Sequence, residues 1–157
     1  MVMSENCLKF NVGMRAIFTF IFIIVISSGY AQSVGPKPVT PDSIKWVSTP
    51  AIPGLLSAWL VGAQDTPGLY ILRVKLGAGT IIPPHTHPDE RSTTVLAGTI
   101  YVGFGDTFDK SKAKAVTVGS VYVVPAKVPH YIWAKDGDAM YQESGNGPTA
   151  NKFIKSS

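Results

Sequence analysis

Three histidines occur in this chain, and all three stand in two short segments with metal-ligand spacing. The first segment runs from Gly79 through Pro83-Pro84-His85-Thr86-His87-Pro88-Asp89 to Glu90. The second runs from Gly119 through Pro125 to His130. Residues two apart on a strand point to one face, so His85 and His87 can offer their imidazoles to a common point. A closed sheet can bring His130 to the same point. Neutral imidazole suits iron, manganese, nickel or zinc, and three such donors leave coordination positions open for a substrate. The only cysteine is Cys7, near the N-terminus, so the rest of the chain offers neither disulfide nor thiolate ligand. With every histidine committed to one cluster, no Ser-His-Asp arrangement can be drawn. There is also no phosphate-binding loop and no nucleotide fingerprint.

The elements that must position these side chains begin after an address segment. Lys9 and Arg15 precede an apolar run from Ala16 to Ile26 interrupted only by Thr19, and Gly29-Tyr30-Ala31 fits a small-x-small cleavage site. This is the three-part pattern of a secretory signal peptide over residues 1–31. The apolar run is short for a bilayer span of roughly 20 residues. Cleavage near Ala31 is therefore expected rather than a stable membrane anchor, with a periplasmic or secreted product. Met14-Arg15 makes a more typical start of such a signal than Met1, and the initiator stays open between the two. Residues 32–44, with Pro36, Pro38 and Pro41, read as a flexible lead-in.

From there the chain shows short runs rich in Val, Ile, Tyr and Thr. They are Leu55–Val61, Leu69–Leu76, Thr80–Pro83, Thr93–Ala97, Thr99–Phe104, Ala115–Val118, Val121–Val124, His130–Ala134 and Ala139–Glu143. Turn signals separate them, among them Ala97-Gly98, Gly105-Asp106 and Asp136-Gly137-Asp138. Many short strands at even spacing predict an all-β sandwich or barrel in one domain. Only Asp106 to Lys114 is compatible with a helix. The net charge of +4 is scattered. The loose group Lys110, Lys112 and Lys114 reads as a solvated turn, so no nucleic-acid partner is expected.

At this point the residues resemble the cupin superfamily, whose first motif is Gly, five residues, His-x-His, three or four residues, Glu, six residues, Gly. Gly79, His85, His87 and Gly98 stand at those positions. The second motif is Gly, five residues, Pro-x-Gly, two residues, His, three residues, Asn, and Gly119, Pro125 and His130 match it. The stretch from His87 to Asp106, with Gln142-Glu-Ser-Gly-Asn-Gly-Pro148, is similar to small exported single-domain bacterial cupins. The resemblance implies a single jelly-roll barrel over residues 45–157 holding one divalent transition metal, with His85, His87 and His130 as ligands. It also implies a small-molecule substrate or ligand, and a homodimer is common among such proteins. Three-histidine cupins are often dioxygenases on thiols, enols or diketones. Others are isomerases, decarboxylases or sugar-binding modules.

Three positions depart from the motifs. Arg91 stands where the Glu belongs, and Glu90 is one residue out of register. A one-residue slip turns a side chain to the opposite face, so Glu90 joins the metal only through a local distortion. Lys127 replaces a motif Gly, which predicts a different turn there. Ala134 replaces the Asn and removes a polar group. Arg91, Tyr101, Ile132 and Gln142 are the candidate pocket residues. Arg91 reads either as a structural ion pair or as a clamp for an anionic substrate. Two functions follow: an exported metalloenzyme, with an oxygen-dependent dioxygenase as the expected type, or a metal-holding cupin that captures a ligand, such as a sugar, without turnover.

Overall fold

Along Arg91–Ala97 every second side chain is buried, and the same alternation runs through Thr99–Phe104 and Ala139–Gly147. A period of two with one apolar face demands sheets that close on each other. The computed structural model describes residues 38–155 and shows two antiparallel sheets packed face to face. The strands, in chain order, are β1 (Val47–Ser48), β2 (Leu55–Val61), β3 (Gly68–Leu76), β4 (Ile81–Thr86), β5 (Arg91–Ala97) and β6 (Thr99–Phe104). They continue with β7 (Lys114–Thr117), β8 (Val121–Val124), β9 (His130–Trp133), β10 (Ala139–Gly147) and β11 (Lys152–Phe153). One sheet has the order β1-β2-β3-β10-β5-β8 and the other β11-β4-β9-β6-β7. β1 to β3 and the pair β6–β7 stay within one sheet, and from β3 to β6 and again from β7 to β11 the chain crosses between the sheets at each step, which is the jelly-roll arrangement.

The core between the sheets is made by Leu55, Val74, Leu76, Ile82, Val95, Ile100, Val102, Ile132 and Tyr141 with smaller neighbours. Each fully buried aliphatic side chain contributes about 1.5–3 kcal/mol. This apolar plug fills one part of the sandwich, and the polar interior residues lie beyond it.

The nine expected strands are all present, Leu55–Val61, Thr99–Phe104 and Val121–Val124 with the expected bounds and the other six with shifted ends. β10 runs on to Gly147, because its pairing with β3 continues through Gly147↔Gly68. β4 continues through His85 to Thr86. The two-residue strands β1 and β11 carry no pattern of their own and exist by pairing on β2 and β4. Asp106 to Lys114 is not helical. The Asp109 carboxylate accepts hydrogen bonds from the Ser111 amide and hydroxyl, at 2.9 and 2.6 Å, and this local turn competes with a helix. Within the lead-in, Pro41–Ser43 makes one 3-10 turn, closed by the Ser43 hydroxyl on the Thr40 carbonyl at 2.8 Å. The signal segment lies outside the described residues.

Candidate metal centre

The first two metal-ligand candidates owe their direction to a pair of prolines. Ile81 and Ile82 of β4 pair with Trp133 and Ile132 of β9, but the register slips by one residue before His85 meets His130. Pro83 and Pro84 have no N–H to give the ladder, so a bulge is accommodated there. Without that slip Pro84 would stand opposite His130. With it, His85 and His130 become direct cross-strand partners, and His87 follows two residues on. All three imidazoles are buried, at 3%, 3% and 0% exposure.

Their ring centroids lie 4.3 to 5.0 Å apart. One nitrogen from each falls within 4.8 Å of the others. The opposite ring nitrogens are tied back. His85 Nδ1 lies 2.8 Å from the Pro83 carbonyl, His87 Nδ1 lies 2.9 Å from the Ala150 carbonyl, and His130 Nδ1 lies 3.2 Å from the Val128 carbonyl. A carbonyl only accepts, so each Nδ1 carries the proton and each Nε2 presents a lone pair. Among the described residues, the Nε2 atoms of His87 and His130 are buried without a hydrogen-bond partner. Two orphaned lone pairs beside a third imidazole are a donor set that fits a late divalent metal. Burial, followed by the neighbouring His130 charge, lowers the His85 pKa to about 4. Burial and the Arg91 charge lower that of His87 to about 3, and the same causes lower that of His130. The rings are therefore neutral at pH 7, the form a metal takes. Phe153 packs at 5.6 Å from the His85 ring and Phe104 at 6.4 Å from that of His130, giving the group an apolar surround.

A cavity of about 260 Å³ opens onto His85 and His87 between the sheets, with Tyr141, Glu143 and Phe153 among its walls. A larger hollow of about 790 Å³ is lined by Pro50, Leu56, Lys75 and Met140. None of the histidines reaches it. A third hollow of about 420 Å³ touches His87 and is lined by Thr86, Pro88, Lys127, Ala150 and Lys152. Of the three, the cavity of about 260 Å³ is the one that borders two of the histidines.

Arg91 enters the interior where the motif has its Glu, and it is 2% exposed. It donates to Glu143 Oε2 and to Asp89 Oδ1, both at 2.9 Å, and to the Thr149 hydroxyl. Tyr70 donates to the other Asp89 oxygen at 2.6 Å. Burial opposes the charge on Arg91, but Glu143, Tyr70 and Asp89 outweigh it and hold the guanidinium above its ordinary range. Burial also works against Asp89, yet hydrogen bonds from Thr149 and Tyr70 and the Arg91 charge keep its carboxyl below the usual value. Glu143 is pushed up by burial against the pull of Arg91. Of the two readings of Arg91, the structure realises the ion pair, and two carboxylates already occupy the fork.

Glu90 is not brought to the cluster. It is exposed in the turn after Pro88, and no bulge restores its direction. Gln142 faces away from the cavity, where its side-chain oxygen accepts from Arg73 at 2.8 Å. Tyr101 also lies on an outer face, donating to Asp136 at 2.6 Å beside Trp133. Ile132 faces inward but belongs to the apolar core. Lys127 keeps the left-handed turn of the motif, at φ 64°, and its N–H donates to the His87 carbonyl at 2.7 Å. The side chain changes while the backbone does not, at roughly 1–2 kcal/mol of local strain. Ala134 packs in the core, and its backbone ties the two motifs together through Thr80 and Gly79. The sequence reading missed Glu143 and Asp89. The signal for Glu143 was the alternation of β10, which sends Ala139, Tyr141 and Glu143 inward and Gln142 outward.

A β-sandwich barrel with three inward histidines defines the class, and comparison with known proteins specifies it. The Cupin family model matches residues 61–152, and the chain belongs to that family. Germin-like protein 3-1 of Oryza sativa subsp. japonica is 33% identical over 81 residues, covering 51% of this chain and 36% of that protein. Germin-like protein subfamily 2 member 4 of Arabidopsis thaliana is 39% identical over 74 residues, covering 45% of this chain and 33% of that protein. The chain thus spans about a third of the length of these curated relatives. Among solved structures, the polyketide cyclase RemF from Streptomyces resistomycificus superposes with a TM-score of 0.66 at 17% identity, covering 78% of this chain and 87% of that one. An oxalate oxidase gives 0.59 at 22% identity, covering 79% and 67%. At these identities the likeness is one of fold.

Proposed function

We propose that this chain is an exported cupin that holds one divalent transition metal on His85, His87 and His130 and acts on a small organic molecule in the adjoining cavity. The observation that carries the reading is the set of three Nδ1–H groups tied to carbonyls, which aims three neutral Nε2 atoms at one point. An ion held there by three imidazoles supplies Lewis acidity, and redox capacity if it is iron or manganese, to a ligand at its open positions. The chain's own part is to orient the rings, keep them unprotonated and exclude water with Phe104 and Phe153.

Oxygen-dependent chemistry is the favoured reaction class. In support, the fold is shared with an oxalate oxidase and with a salicylate 1,2-dioxygenase from Pseudoaminobacter salicylatoxidans (TM-score 0.55, 19% identity, covering 66% of this chain and 30% of that one). Oxygen consumption by the iron-loaded protein against a panel of enols, thiols and phenols tests it, and no consumption with any of them would favour the second reading. That reading, ligand capture without turnover, is favoured by two findings. Glu90 stays outside, and Ala134 lies in the apolar core, where it offers no polar group.

Export is part of the proposal and rests on Lys9, Arg15, the run Ala16 to Ile26 and Gly29-Tyr30-Ala31. Intact-mass measurement of the secreted or periplasmic protein is expected to give an N-terminus near Gln32. A mature chain retaining Ala16 to Ile26 would overturn the cleavage. A homodimer belongs to the same proposal, supported by β8, an end strand of its sheet that exposes Val121 and Val123. Sedimentation at monomer mass would remove it.

A further inference from the structure

The cavity beside the histidines has one charged side chain, and nothing in the motifs accounts for it. Among the described residues lining it, Leu55, Leu72, Val74, Ile82 and Phe153 provide apolar walls, Thr49, Ser57, Gln64 and Asn151 add neutral polar groups, and no lysine or arginine is present. Glu143 is the one charged group among them, 5% exposed and facing this space from β10. Its Oε2 accepts from Arg91 at 2.9 Å, while Oε1 has no hydrogen-bond donor among the described residues. A carboxylate is an acceptor only. Arg91 cannot serve the ligand in its place, because Asp89 and Glu143 already share its fork.

We propose that Glu143 is the specificity-determining acceptor of the cavity, and that the ligand is a compact, mostly apolar molecule that donates a hydroxyl to it. The volume of about 260 Å³ is below the roughly 300–1,000 Å³ of drug-sized pockets, which points to one or two rings. In the metal-free protein a carboxylate ligand would bring a second negative charge against Glu143 with no lysine or arginine on the wall to offset it. The inference deepens the proposed function, since it takes the same cavity as the binding site, but Glu143 acts on the ligand and not on the metal.

Glu143→Gln separates these roles. Arg91 donates only, so it takes the amide oxygen and turns the NH2 group towards the cavity. An acceptor thereby becomes a donor with little change of shape. The probes are 2-naphthol, its methyl ether 2-methoxynaphthalene, and 2-naphthoate, titrated calorimetrically into the zinc-loaded and the metal-free protein. The parent is expected to bind 2-naphthol at least tenfold more tightly than the methyl ether. Glu143→Gln is expected to abolish that preference and to bind 2-naphthoate more tightly than the parent does. If Glu143→Gln fails to fold by circular dichroism, the triple variant Asp89→Asn, Arg91→Met, Glu143→Leu removes the whole charged set and is expected to bind 2-naphthol and its ether within threefold of each other. Cobalt(II) titration, followed by its visible absorption, reads the metal independently, and Glu143→Gln is expected to bind cobalt within threefold of the parent. A parent that does not prefer 2-naphthol, or a Glu143→Gln protein that keeps the preference, overturns the proposal. So does a loss of cobalt as large as that of His85→Ala, which would make Glu143 a metal ligand. A parent that takes up no cobalt contradicts the metal reading, while the metal-free titrations still decide the role of Glu143.

Discussion

At the scale of single residues, the site is built from hydrogen bonds that remove choices. Each histidine has one nitrogen spent on a backbone carbonyl, which leaves one nitrogen for chemistry. Arg91 is spent in the same way on two buried carboxylates. Removing one member of such a buried set leaves the others charged and unpaired. Arg91→Met is therefore expected to destabilise the fold by about 3–5 kcal/mol, measured by urea denaturation. A change below about 1 kcal/mol would show that Asp89 and Glu143 do not depend on it. The histidine positions were legible from spacing alone. The carboxylates were not, because the motif directs attention to Glu90, whose neighbour Arg91 holds the inward register. The parity of β10 is the feature that identifies Glu143, and only its pairing with β5 makes that parity certain.

At the scale of elements, short strands do more than their length suggests. β11 has two residues, yet the segment around it gives the Ala150 carbonyl to His87 and the Phe153 ring to His85. A chain ending at Thr149 is expected to stay folded and to lose about 10–100-fold in zinc affinity, the usual range for lost outer-shell support. Unchanged affinity in a zinc titration would show that His87 needs no such tie. In the same sheet, Gly103 of β6 lies under the Tyr131 ring, where an added Cβ would collide with the ring. Tyr131 is fully buried and anchors the Asp106 to Lys114 segment by donating to the Asp109 carbonyl at 2.7 Å. Gly103→Ala is therefore expected to lower the melting temperature by several degrees, an overpacking penalty of roughly 1–3 kcal/mol. A melting temperature equal to the parent's would contradict the packing described. Alternation and turn residues made the nine main strands readable. β1 and β11 escaped because strands of two residues have no period, and the Pro83-Pro84 slip escaped because register is a property of the pair.

At the scale of the whole molecule, the buried neutral histidines couple folding to pH. Their folded-state pKa values, about 4 for His85 and about 3 for His87, lie below the 6.5 of an unfolded chain. Between those values the unfolded state binds more protons than the folded one, so stability falls as pH falls. The metal-free protein is expected to lose stability steadily from pH 6.5 to 4, by at most about 1.4 kcal/mol per pH unit for each histidine. Equal urea midpoints at pH 7 and pH 4.5 would contradict this. The most direct test of the account is elemental analysis of the protein purified from its native compartment, beside His85→Ala, His87→Ala and His130→Ala. One transition-metal ion per parent chain, with each variant folded and nearly empty, is the expected result. A parent without metal, or three variants that hold it as the parent does, would contradict the three-histidine centre.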